Sequence, residues 1–140
     1  MAGQYFDISD EVLQMHKEIK ENGKYNYMIC KINRERLVIE HIEQLYDLEG
    51  NQPYQDFLRT LSAKQEFRYG FVSYNLNKDN NLLRKTVGVM WLPTFQMKKK
   101  FEQAASTLKD VLSADLFLEA ITELSLSSIC IESGFRKFGE

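Results

Sequence analysis

Residues Trp91–Asp110 read W-L-P-T-F-Q-M-K-K-K-F-E-Q-A-A-S-T-L-K-D, and they hold both the end of a strand and the start of a helix. A strand is expected to finish at Trp91, Pro93 stops it, and one long helix is expected to follow. Met97, Phe101, Ala104, Leu108 and Val111 recur at spacings of four and three, which lays one apolar stripe along that helix. Lys98, Lys99 and Lys100 then fall in its first turns. Free N–H groups already make that end positive, so each lysine forgoes about 0.3–1 kcal/mol that an acidic residue would gain. A cationic cluster set against the local physics points to a surface kept for an acidic partner. The plainer reading is a solvated face, with Glu102 pairing back to Lys98 at i,i+4.

Elements of both kinds precede this stretch. Ser9 is placed to cap a short helix carrying Asp10 and Glu11 in its first turn and Val12, Met15 and Ile19 inward, with Gly23 ending it. Lys24–Ile32 reads as a strand, Asn33–Glu35 as a turn and Arg36–Ile42 as its partner strand. Residues 43–52 are polar and loop-like, and Pro53 opens a helix that turns Tyr54, Phe57, Leu58 and Leu61 inward. Glu66–Tyr74 is a third strand with Phe67, Tyr69 and Phe71 on one face and Val72 and Tyr74 on the other, so both faces are expected to be covered. N-L-N-K-D-N-N, residues 75–81, reads as a turn before a fourth strand, Leu83–Trp91.

After the long helix, Leu116–Ile121 makes a fifth strand. The tail is open to two readings: L-S-L-S-S-I-C-I-E alternates like a strand, while Ser125 is suited to cap a last helix running towards Arg136. Strands and helices interleave without a regular βαβ repeat, which gives a mixed sheet sandwiched by helices.

The chain has 140 residues, 44% hydrophobic and 27% charged, the balance of a folded globular domain and not of a disordered or membrane-embedded one. One domain over residues 1–140 is expected, burying roughly two thirds of its unfolded surface. No apolar run approaches the ~18 residues of a membrane span, and the opening M-A-G-Q-Y-F-D-I-S-D lacks the regions of a secretory signal. Cys30 and Cys130 both lie in apolar stretches and read as buried thiols in a reducing cytoplasm. The net charge of −2 argues against nucleic acid as a partner. Bases nevertheless cluster at 84–85, 98–100 and 136–137, and such a cluster can steer an acidic protein.

Catalytic patterns are missing from the sequence. His16 and His41 have no metal-ligand spacing around them, and no phosphate-binding glycine loop or G-x-S-x-G elbow occurs. Glu40, Glu43, Asp47 and Glu49 have nothing to separate their pKa values as an acid–base pair would need. No enzyme, cofactor or metal site is expected.

Four motifs in order carry a resemblance over roughly Ile8–Lys137. They are the I-S-D opening; K-Y-N-Y-M-I-C-K-I with R-L-V-I-E-H; P-Y-Q-D-F-L-R-T-L before the Arg68–Tyr74 strand; and W-x-P at Trp91 and Pro93. In this order and spacing the chain resembles the actin-depolymerising factor homology family, which includes cofilin, coactosin and glia maturation factor. The resemblance implies an α+β fold with a central mixed sheet of about five strands between helices. It also implies a monomeric, cytoplasmic partner of monomeric and filamentous actin, in the actin cytoskeleton, that promotes filament disassembly and is sensitive to phosphoinositide lipids.

Residue by residue, Lys98 and Lys100 match the family's basic pair on the long helix, with Met97 and Phe101 beside them, and Ala104 matches the family alanine. Arg84 and Lys85 match one part of the filament-contacting surface, and Arg136 and Lys137 fall near the other. Ala2 and Gly3 lie at the N-terminal contact, where Ala2 replaces a regulatory serine and removes that switch. Phe101 stands where methionine is usual, Gln103 replaces a tyrosine and Thr107 a later lysine. These departures keep open a coactosin-like or glia-maturation-factor-like role without severing.

Overall fold

The computed structural model describes residues 7–22, 25–44, 52–78, 81–101, 104–120 and 131. The chain enters through a two-residue strand, β1 (Asp7–Ile8), and Ser9 then caps α1 (Asp10–Lys17) by accepting a hydrogen bond from the Val12 N–H at 3.4 Å. A π-helical turn, Glu18–Asn22, continues α1 and carries Ile19 into the core. Strands β2 (Tyr27–Asn33) and β3 (Arg36–Glu43) form a hairpin whose two-residue turn puts Arg34 at φ 51° and Glu35 at φ 65°. Both angles lie in the left-handed region that such a turn requires.

Helix α2 (Gln52–Leu61) follows, then β4 (Arg68–Lys78), β5 (Asn81–Trp91), α3 (Phe95–Lys100), α4 (Ala104–Val111) and β6 (Leu116–Ala120). The strands lie in the order β1-β3-β2-β4-β5-β6. The two outer pairs, β1 with β3 and β5 with β6, are parallel, and the inner pairs are antiparallel.

Helices cover both faces of the sheet, and the alternation along β4 decides which side chain goes where. Val72 and Tyr74 join Tyr54, Phe57 and Leu61 of α2 on one face. Phe67, Tyr69 and Phe71 meet Val12 of α1 and Ala104 and Leu108 of α4 on the other. Gly70 lets α2 approach closely, since a Cβ there would stand 2.4 Å from the Phe57 ring and 3.1 Å from Leu61.

Two expectations are corrected, and the expected mixed sheet of about five strands is found with six. Residues 75–78 and 81 belong to strands, so β4 and β5 form a hairpin of eleven-residue strands and not a hairpin with a seven-residue turn. The long helix is two helices, because Phe101 leaves the helical region at φ −104°, ψ 15° as its ring packs on Phe67 with centroids 4.3 Å apart. The inward stripe then runs through Ala104, Ala105, Leu108 and Leu112, and Val111 is 45% exposed. A sixth strand, β1, joins the five read from the sequence. In the tail, Ile131 is helical and fully buried against the α2 face, and the rest lies outside the described residues.

Polar bonds tie α1, β5 and the α4–β6 loop together. The Thr86 N–H and hydroxyl both donate to one Asp115 carboxylate oxygen, at 2.8 and 3.1 Å, and the Asp115 N–H donates back to Thr86 Oγ1 at 3.1 Å. His16 bonds the Ser113 carbonyl oxygen at 2.8 Å through Nε2 and lies against Phe71, while Lys20 Nζ donates to the Ser113 hydroxyl. Burial holds the His16 pKa below its ordinary value, and nearby Lys20 pushes the same way against the carbonyl bond.

Two measurements check this architecture. Gly70→Ala is expected to cost about 1–3 kcal/mol in denaturant unfolding by overpacking α2, and Phe57→Leu should restore part of it. The unfolded chain protonates His16 near its ordinary pKa while the folded chain resists, so stability falls as pH drops through about 6.5. His16→Gln, which keeps a donor for the Ser113 carbonyl, is expected to flatten that acid limb in melts recorded across pH.

Candidate functional site

Helix α3 hangs from the end of β5. Leu92 is buried, and its N–H donates to the Ala120 carbonyl at 2.8 Å, which fixes the last point of the sheet before the chain turns. Thr94 then caps α3 from an extended backbone, its hydroxyl accepting from the Met97 N–H at 3.1 Å. Met97 and Phe101 are half-buried against the core, so each gives one side to packing and leaves the other to solvent. Lys98, Lys99 and Lys100 are exposed.

The split of the helix reverses the electrostatic argument made from sequence. The three lysines stand in the last turn of the six-residue α3, where free carbonyls favour cations. They are therefore placed with the local physics, and what marks them is exposure on a short, separately capped helix. Lys100 also sits 5.3 Å over the Phe101 ring.

The other predicted residues do not gather at this helix. Arg84, on β5, donates through its guanidinium to the carbonyls of Ile19 and Lys20 in the π-helical turn. This gives it a structural task where sequence reasoning saw only a surface charge. Lys85 is half-buried beside it. Ala2, Gly3, Arg136 and Lys137 lie outside the described residues.

Sequence reasoning missed the charged centre next to α3. Arg68, only 6% exposed, forks onto Glu40 at 2.7 and 3.1 Å, donates to the Phe67 carbonyl at 2.7 Å and reaches Glu66 at 3.1 Å. Lys64 stands 3.7 Å from the same Glu40. The Arg68 bonds hold the Glu40 carboxyl below its ordinary pKa. Burial works against the Arg68 charge, but the bonds to Glu40 and Glu66 outweigh it and raise its pKa. The available signal was one arginine opening a strand whose following residues are apolar.

This centre walls an open groove of about 720 Å³ between the β2–β3 hairpin and the end of α3, lined among others by Lys31, Glu35, Glu66, Phe67, Lys100 and Phe101. Among the described residues no helix is long and apolar enough to cross a membrane.

Residues 5–128 match the family described as cofilin/tropomyosin-type actin-binding protein. The chain belongs to this family. Its fold is also that of solved structures of low identity. Plasmodium berghei actin depolymerization factor 2 superposes with a TM-score of 0.78 at 19% identity, covering 97% of this chain and 99% of that one. Streptomyces griseoflavus cofilin gives 0.74 at 17%, covering 94% and 98%. Human coactosin-like protein gives 0.72 at 13%, also covering 94% and 98%. No curated protein matches the sequence.

In this cofilin-type chain, Arg84→Ala would strip a donor from two backbone carbonyls. The expected cost is about 1–3 kcal/mol, with faster amide hydrogen exchange through residues 18–22 and little change in β2. Exchange that stays uniform would show that Arg84 holds nothing there.

Proposed function

We propose that this member of the family binds monomeric and filamentous actin and promotes filament disassembly, with severing the weaker activity. The observation that carries the reading is α3 itself: a short helix capped apart from α4, with Lys98 and Lys100 exposed above half-buried Met97 and Phe101. Apolar contact from Met97 and Phe101 would supply affinity, and the lysines orientation and association rate. Lys85, Arg136 and Lys137 would serve the filament surface, with Arg84 engaged at the π-helical turn. In the sequence linking β4 to β5, Lys78 is followed by Asp79, so the pair adds no net charge, which supports weak severing.

The reading is of a single, monomeric, non-enzymatic domain of the cytoplasmic actin cytoskeleton, with phosphoinositides competing for the same cations. A coactosin-like role, decorating filament sides without cutting, is the second reading. The departures at Phe101, Gln103 and Thr107 support it.

Lys98→Ala with Lys100→Ala is expected to weaken binding of monomeric actin at least tenfold, or about 1.4 kcal/mol. Thermal stability should fall slightly, since two cations leave the negative end of α3. Titration against labelled monomer and a melting curve check both. Imaging of single filaments separates the two readings: disassembly from ends with rare internal breaks supports the first, and decoration without loss of length the second.

A further inference from the structure

The groove beside α3 contains charges that the fold has used and charges that it has not. Arg68 is saturated by Glu40, Glu66 and the Phe67 carbonyl, and Glu40 accepts from Arg68 twice with Lys64 nearby. These four side chains form a neutral wall anchored by the buried Arg68. Lys31 on β2 and Lys100 on α3 also line the groove, and neither makes an ion pair among the described residues. Glu35, at the hairpin turn, is likewise without one. Outside ion pairs the groove thus carries two lysines against one glutamate, net positive, with Lys31 acting on the Glu40 carboxylate from a distance and Lys100 lying over the Phe101 ring. The half-buried Phe101 ring, packed on the buried Phe67, adds an aromatic edge to the same groove.

We propose that this groove is a second docking point for the protein that α3 engages, taking a carboxylate side chain of that protein flanked by an apolar one. The proposal rests on the actin reading and adds Lys31 and Glu35 to the surface as residues of opposite effect. Charge complementarity selects the carboxylate, because the groove charges outside ion pairs, Lys31 and Lys100 against Glu35, are net positive. The aromatic edge selects the apolar neighbour. At about 720 Å³ and open to solvent, the groove has room for a few side chains of a chain passing across it. Its continuity with α3 follows from Lys100 and Phe101, which belong to both. A partner seated on α3 thus meets the groove that Lys31 lines, and a rim charge there acts mainly on association rate and salt dependence.

The test uses the full chain and monomeric actin at low and at physiological ionic strength. Lys31→Glu is expected to weaken binding roughly fivefold at low salt, with the gap closing as salt screens it. Glu35→Asn removes the opposing charge with a residue suited to the left-handed turn. It is expected to tighten binding about twofold by removing that repulsion, a gain that damage to the fold does not mimic. Binding of both variants equal to the unaltered chain would overturn the groove while leaving the actin reading intact. An unaltered chain that does not bind actin would remove both. Vesicles of phosphatidylcholine with phosphatidylinositol 4,5-bisphosphate form the control arm. Loss of vesicle binding in Lys31→Glu with actin binding unchanged would assign the groove to lipid and overturn the proposal.

Discussion

Strand β4 pairs with a neighbour on each edge and carries a layer of side chains on each face, so its core length has no side left for water. Every residue from Arg68 to Val72 is buried. A strand so placed tolerates only groups that its neighbours can satisfy, and the two exceptions to its apolar run show how this is met. Gly70 gives up its side chain to admit the Phe57 ring. Arg68 keeps its charge but is wrapped by two carboxylates and a carbonyl. A guanidinium at this depth is costly if any partner is lost, so β3, through Glu40, is bound to β4 across the intervening β2.

The same end of the sheet sets the position of α3. Trp91 closes β5 with its indole N–H on the Lys64 carbonyl at 3.1 Å, and Leu92 bonds to β6. Phe101 stacks on Phe67, one residue before Arg68. The exposed lysines of α3 are therefore presented from a frame whose parts all converge on the start of β4. Among the described residues, the buried Tyr69 hydroxyl is the side-chain polar atom that this packing leaves without a hydrogen-bond partner.

How far the sequence could be read depended on how local the deciding physics was. Ser9 as a cap, a turn read over Asn33–Glu35 and the two faces of β4 follow from spacings within a few residues, and all are found, the turn tightened to Arg34–Glu35. The break after Lys100 is not local. Apolar spacing runs on through Phe101 and Ala104, while the helix ends where Phe101 packs on Phe67, a contact distant in sequence. The polar composition of residues 75–81 likewise reads as a turn, because cross-strand pairing, which keeps Asn75 and Lys78 extended, leaves no signature in composition. For the site, exposure of Lys98 and Lys100 matched their polarity, but their sense along the dipole hinged on that hidden break. Arg84 and Arg68 show the wider limit: a cation's partners are set by topology, and the sequence names only the cation.

The β4–β5 hairpin outruns the sheet that supports it. Pairing with β2 ends at Val72 and pairing with β6 begins at Val87, so from Tyr74↔Lys85 to Lys78↔Asn81 the described residues form a ribbon of two strands. Five such pairs extend roughly 15 Å. A ribbon of this kind twists and bends more readily than a sheet, and near its foot Arg84 grips the π-helical turn. It therefore acts mechanically as a lever with its fulcrum at Arg84. A sideways load on the tip would reach α1 through the two Arg84 hydrogen bonds and the α2 face through Tyr74, which is fully buried at the foot of the ribbon.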